Sequence, residues 1–275
     1  MANYLLFGEN TSAGTATIFN QGGSVYFQQA STAASATIAN GANSALSFLG
    51  TSSVGSAKIS NAKGGLVYFA ESASGAGGSI SNAAGGVVDV SGSIAKTGVE
   101  LGSLSGAGGV VLGATRLTLG GLGTSDAISG TVSDKGGAFG VPGPGVGGSI
   151  VKVGAGTLTL SGANTYTGGT TVAAGTLAVN NASGSATGTG AVQVQSGATL
   201  AGSGSIAGAV SIAKGGVLSA GNGGPGTLTV GGLNLADGAV LNYQLGQANT
   251  VGGPLNDLVN VNGDLRLDGT LNVAQ

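Results

Sequence analysis

Two short apolar columns recur along the first third of the chain at a nearly constant step, and few folds accept that register. One column reads ATIFN at Ala16–Asn20, ATIAN at Ala36–Asn40, AKISN at Ala57–Asn61 and GSISN at Gly78–Asn82. Its isoleucines are Ile18, Ile38, Ile59 and Ile80. The other column reads VYF at Val25–Phe27, LSF at Leu46–Phe48, VYF at Val67–Phe69 and VDV at Val88–Val90. Its last residues, Phe27, Phe48, Phe69 and Val90, keep one constant step, and each Phe precedes the next Ile by a second constant step. Phe7 stands before Ile18 as Phe27 stands before Ile38, so it belongs to the same column. A period of about 21 residues marks architectures in which one unit cannot bury its own apolar face and does so against its neighbours.

The units are strands. Apolar residues come in bursts such as TLTL, VLNYQL and LRL, which alternate with period two and end at Gly, Asn and Ser. Fifty-nine glycines make helix costly, at about 1 kcal/mol per interior position relative to Ala. The expected fold is all-β: a parallel β-solenoid with about 21 residues per coil in the N-terminal third. Coils stacked at the interstrand spacing of about 4.8 Å would give roughly 13 coils and about 60 Å of rod. The Phe and Ile columns point inward. Asn20, Asn40, Asn61 and Asn82, one per unit, are read as a turn ladder of stacked amides, since Asn tolerates left-handed backbone. A metal row is the weaker reading, because amide oxygens without carboxylates hold cations poorly. Handedness and the choice of two or three strands per coil stay open.

Residues 1–275 read as one continuous β-helix, with regular coils over 1–95 and less regular coils over 96–129. Residues 130–149 hold two of the four prolines and read as a Gly/Pro-rich loop excursion; strand rhythm returns over 150–275. The solenoid is already running at Phe7 without a visible polar cap, so the chain is expected to be a fragment.

Composition removes several functions. Eight Lys and Arg, scattered in a chain of net charge −2, leave no basic patch for nucleic acid. No apolar run is long enough for a transmembrane helix. MANYLLFGEN has neither the basic nor the long apolar region of a signal peptide. Without Cys or His there are no disulfides, thiolate metal sites or His-dependent triads, so no cofactor, metal or catalytic residue is assigned. Ten Asp and Glu are too few to build a convincing hydrolytic cleft. Their one dense group is Asp257, Asp264, Arg266 and Asp268, the last three alternating on one strand face. A solvated face with local charge pairing is preferred there over a glycan or Ca²⁺ site.

Between Lys152 and Lys214 the chain carries no charge at all. Within that silence, KVGAGTLTLSGANTYTGGTTVAAGTLAV at Lys152–Val179 places Leu158, Leu160, Val172, Leu177 and Val179 at inward positions. Thr157 and Thr159 face outward, and Gly162, Gly168, Gly169 and Gly175 fall at turns or close approaches. Tyr166 is expected to cap a core layer with its hydroxyl in water.

This segment resembles the autotransporter-associated β-strand repeat of type V secreted passenger domains. ISGTVSD at Ile128–Asp134, GAVQVQSGATLAGSGSIAGAV after it and LNDLVNVNGDLRLDGTLNV at Leu255–Val273 extend the resemblance over about 117–273. The resemblance implies a passenger that crosses a Gram-negative outer membrane through a C-terminal translocator barrel, missing from this chain, and folds at the cell surface. The expected function is a non-enzymatic stalk or adhesive rod with host-surface, glycan or self partners, and loop 130–149 is the expected contact, because loops are where solenoids diversify. The alternatives are a carbohydrate-active β-helix enzyme and a self-association module.

Overall fold

The computed structural model describes residues 3–137 and 146–274. The strands stack in parallel, and each coil has three faces. The first face runs through Tyr4–Phe7, Ser24–Phe27, Ala45–Phe48, Leu66–Glu71, Val87–Ser93, Gly109–Val111 and Val132–Ser133. The second face, among the described residues, is an unbroken row of twelve strands from Thr17–Asn20 to Thr270–Ala274. The third begins as single bridges linking Ser12, Thr32, Ser53 and Ser74. It widens into strands from Val99 onward, through Arg116–Leu119, Ser149–Lys152, Thr170–Val172 and Val192–Val194.

Three corners per coil follow from three columns of left-handed backbone. Glu9, Gln29, Gly50 and Glu71 form one, Gly14, Ala34 and Gly55 a second, and Gly22, Asn43, Gly64 and Gly85 a third. Gly55 shows why a corner selects residue type: at φ +62° a Cβ would lie 2.6 Å from the Ala34 carbonyl oxygen of the coil below.

Inward side chains sit on their counterparts one coil away. Ile18, Ile38, Ile59 and Ile80 are register partners, buried throughout. Phe7, Phe27, Phe48 and Phe69 stack with ring centroids 4.5, 5.0 and 5.2 Å apart and planes within 14° of parallel. Val90 is buried beyond them, where the first-face register shifts between Tyr68 and Ala70. Leu158, Leu160, Val172, Leu177 and Val179 are buried in the second and third faces. Each such side chain stabilises the stack by roughly 1.5–3 kcal/mol through burial.

Coil length varies after Ile80. On the second face, the register pairs Ile80–Leu104, Ile128–Leu160 and Leu241–Leu271 enclose longer coils than the N-terminal pairs, and Leu158–Leu177 encloses a shorter one. The extra residues emerge at corners. They leave twelve stacked strands among the described residues where the constant period suggested roughly 13 coils. In 130–149, Val132–Ser133 is a first-face strand and Ser149 opens a third-face strand, so those ends belong to the solenoid. Residues 138–145 of that segment lie outside the described residues.

Phe48→Ala should cost about 3–5 kcal/mol, because it opens a cavity in the ring stack. Phe19→Ala, 70% exposed on the outside of the second face, should change stability by no more than about 0.5 kcal/mol. Urea unfolding followed by circular dichroism separates the two; equal midpoint shifts would contradict the inward assignment.

Candidate functional site

The Asn row is an internal hydrogen-bond ladder. Asn20 Nδ2 donates to Asn40 Oδ1, Asn40 Nδ2 to Asn61 Oδ1, and Asn61 Nδ2 to Asn82 Oδ1, each at 2.8 Å. The same amides also donate to the backbone oxygens of Ala45, Leu66 and Val87, and Asn82 donates to Gly109. The four side chains are buried and close their strands; none has positive φ. The expected turn geometry is therefore corrected: the left-handed corner lies two or three residues later, at Gly22, Asn43, Gly64 and Gly85. Burial explains the shift, since an inward amide must find partners every rung and its own copy above and below supplies them.

A second polar group lies inside the solenoid where the core columns should be apolar. Asp126 occupies the leucine column, in register with Leu158, and Lys152 lies in register with Leu119 and Val172. Both are buried. Ser103 Oγ donates to Asp126 at 2.6 Å. Lys152 Nζ donates to the carbonyl oxygens of Val153, Gly154 and Ala174 at 2.7, 2.8 and 3.1 Å. Burial raises the Asp126 pKa, against the Ser103 and Leu104 hydrogen bonds and the Lys152 charge. Burial lowers the Lys152 pKa, against the Asp126 charge.

Tyr166 also faces inward. It is fully buried, with its hydroxyl 2.6 Å from Thr170 Oγ1, which corrects the expected solvated hydroxyl; burial raises its pKa. Asn164 ties three coils together, accepting from Val132 N at 2.7 Å and donating to Ala186 O at 2.5 Å. Gly169 and Gly175 have positive φ, while a Cβ on Gly162 or Gly168 would collide with a carbonyl oxygen of the neighbouring coil. Thr157 and Thr159 alternate with buried Leu158 and Leu160. The interior role of Lys152 was readable: in SIVK it shares a strand face with Ile150.

The four charged residues near the C-terminus separate. Asp257 is buried and accepts from Gly226 N and Gln244 N, both at 2.8 Å. Arg266 and Asp268 form an exposed ion pair at 2.8 Å, and Asp264 is exposed in the preceding turn. Asp257 belongs with a loop that sequence reasoning did not single out. Residues 245–256 leave the coil and return through an antiparallel bridge between Leu245 and Asn256. Buried Asn256 accepts from the backbone of Gly246 and Gln247 and donates to Gln247 O and Thr250 O. Val251, at its tip, is 84% exposed. The NTVGGP turn composition was the available signal.

Among the described residues no group of three or more His, Cys, Asp or Glu is placed to hold a metal, and no helix is long and apolar enough to cross a membrane.

Asn40→Ala removes the bonds that Asn40 donates to Asn61 and Leu66 and takes the Oδ1 acceptor from Asn20, leaving its amide only Ala45 O, so it should cost about 1–3 kcal/mol in chemical unfolding; a neutral result would show that the ladder contributes nothing net. The interior charges set opposite pH trends. Asp126, raised, contributes stability fully present below its ordinary 3.8 and lost as pH rises through its folded pKa. Lys152, lowered, contributes stability fully present above its ordinary 10.5 and lost as pH falls through its folded pKa. The stability advantage of wild type over Asp126→Asn should shrink with rising pH on the acid side, and that over Lys152→Met should grow on the alkaline side. Unfolding midpoints across pH that track in parallel would refute both assignments.

Comparison with known proteins places this geometry. Residues 150–179 match the passenger-associated-transport-repeat family. That stretch covers the strands Thr157–Leu160, Thr170–Val172 and Thr176–Val179, with Asn164 and Tyr166 between them. Its strands Thr157–Leu160 and Thr176–Val179 pair in parallel, Leu158 on Leu177 and Leu160 on Val179, so the repeat spans one coil and the strand that stacks upon it. A curated relative, Adhesin BmaC autotransporter from Brucella suis biovar 1 (strain 1330), is 41% identical over 129 residues, 46% of this chain. The matched region spans 4% of that relative's length. The solenoid thus carries a match to the passenger-associated transport repeat over residues 150–179 and is similar, over less than half of its length, to an autotransporter adhesin.

Proposed function

We propose that this chain is a non-enzymatic, surface-exposed passenger segment that serves as a rigid stalk or adhesive rod. In the full protein a C-terminal translocator barrel would carry it across a Gram-negative outer membrane, and it would fold on the outside. The observation that carries this reading is the continuity of the second face. Its strands stack with only corner excursions, so one rigid axis connects every displayed loop. The adhesin name of the matched relative supports a contact role.

The chemistry of the buried charges supports a structural use. Asp126, Asp257 and Lys152 direct their bonds to backbone or to Ser103, inside the coil stack. Outside, neutral Thr165, Thr167, Asn180, Gln193 and Gln195 are exposed to water within the charge-free stretch between Lys152 and Lys214. Many weak polar contacts on a rigid surface add as avidity. The segment 130–149 and the braced loop 245–256 would supply the more specific contacts.

Beads coated with the purified chain should adhere to host-cell monolayers or matrix protein, and deletion of 135–148 should reduce adherence. Unchanged adherence after that deletion would remove the loop from the contact. Reducing-sugar release from a polysaccharide panel would replace the non-enzymatic reading with a carbohydrate-active one.

A further inference from the structure

We propose that the corner groove between residues 91–98 and the Arg116 strand binds an anionic glycan. The inference rests on the surface-passenger reading and names a ligand class for it. The groove has a volume of about 430 Å³. Ser93, Thr115 and Ser149 line it with hydroxyl-bearing side chains, and Lys96 and Arg116 bring positive charge. Among the described residues, no acidic side chain lines it. In a chain with eight Lys and Arg and net charge −2, that local excess runs against the whole.

The groove is built by an insertion. Earlier coils pass from the Phe column to the Ile column by one constant step, as from Phe48 to Ile59 and from Phe69 to Ile80. Val90 takes longer and meets the same column only at Leu104, the register partner of Ile80. The added length forms a corner wall at Ser93–Gly98, with Ile94 79% exposed at its crest. Two features hold this wall in place. Arg116 Nε and Nη2 both donate to the Thr97 carbonyl oxygen, at 2.9 and 2.7 Å. Gly98 has φ +81° and passes so close to Arg116 that a Cβ would collide with its carbonyl oxygen. The guanidinium is therefore fixed by one edge, which leaves Nη1 to meet a ligand.

The chemistry selects the ligand. Preorganised Arg recognises the oxygens of carboxylate or sulfate groups, and Lys96, exposed and without an ion pair among the described residues, adds a point charge. Hydroxyls around the cations suit the hydroxyls of a sugar ring, and exposed Ile94 offers an apolar contact for its C–H face. A uronate or a sulfated sugar satisfies the whole set.

The test is calorimetric titration of the whole 275-residue chain with a heparin-derived oligosaccharide, an oligogalacturonate, a neutral dextran oligosaccharide and sodium sulfate. The expected result is binding of at least one acidic oligosaccharide, weakened by salt, with no binding of dextran. Preference between the two acidic probes assigns sulfate or carboxylate. Lys96→Gln and Arg116→Gln should each weaken binding roughly tenfold, the scale of one charged hydrogen bond, whereas Lys214→Gln should not. Lys96 braces nothing in the corner, so its variant reads binding apart from folding. Equal binding of dextran, equal affinity for free sulfate, or unchanged affinity in the Lys96 variant would overturn the proposal. Failure of glycan binding while coated beads still adhere would reject this site and leave the adhesive reading standing; failure of both would reject the two together.

Discussion

Everything in this molecule depends on parallel strand stacking that places each residue over its own counterpart one coil away. A single coil has no core. Its inward Ile and Phe gain their burial from the coils on either side, and their rings and methyl groups repeat at the interstrand spacing. The Phe7–Phe69 ring stack and the Asn20–Asn82 amide ladder are two results of that translation, one apolar and one hydrogen-bonded.

Repetition also makes a polar residue inside the stack tolerable. A lone buried amide would lack partners, but a column of amides supplies donor and acceptor at every rung. Lys152 and Asp126 solve the same problem without repetition: three carbonyl oxygens surround the ammonium group and Ser103 serves the carboxyl. They lie where the long coil between Ile128 and Leu160 gives way to the shorter coil of the transport repeat, between Leu158 and Leu177. Tyr166, Thr170 and Asn164 continue this polar interior into the matched segment, which combines an apolar coil stacked in register with bonds to its neighbours.

In the proposed adhesive role, contact falls to what the stack leaves outside. The rod fixes the spacing and direction of its corners, and insertions at 91–98 and 245–256 are braced by side chains that spend their hydrogen bonds on backbone. A rigid axis with preorganised corner excursions lowers the ordering cost of a contact, which suits a surface that binds by many modest interactions.

The sequence by itself determined the all-β solenoid, its period, the inward columns and the passenger resemblance, because identical environments stacked in register demand the same residue type at a constant step. It also marked Asp264, Arg266 and Asp268 as a solvated charged strand region. Tertiary structure decided the three-faced coil, since one face begins as single bridges at Ser12, Thr32, Ser53 and Ser74 and has no run of apolar residues to announce it. It decided that the Asn ladder is internal, that Tyr166 points inward and that Asp257 braces a loop. Those outcomes depend on which groups meet across coils of unequal length, as at Ile128–Leu160 and Leu158–Leu177. The groove at Lys96 and Arg116 belongs to the same class: the two cations are about one whole coil apart in sequence, and only the stacking of one corner on the next strand brings them to one rim.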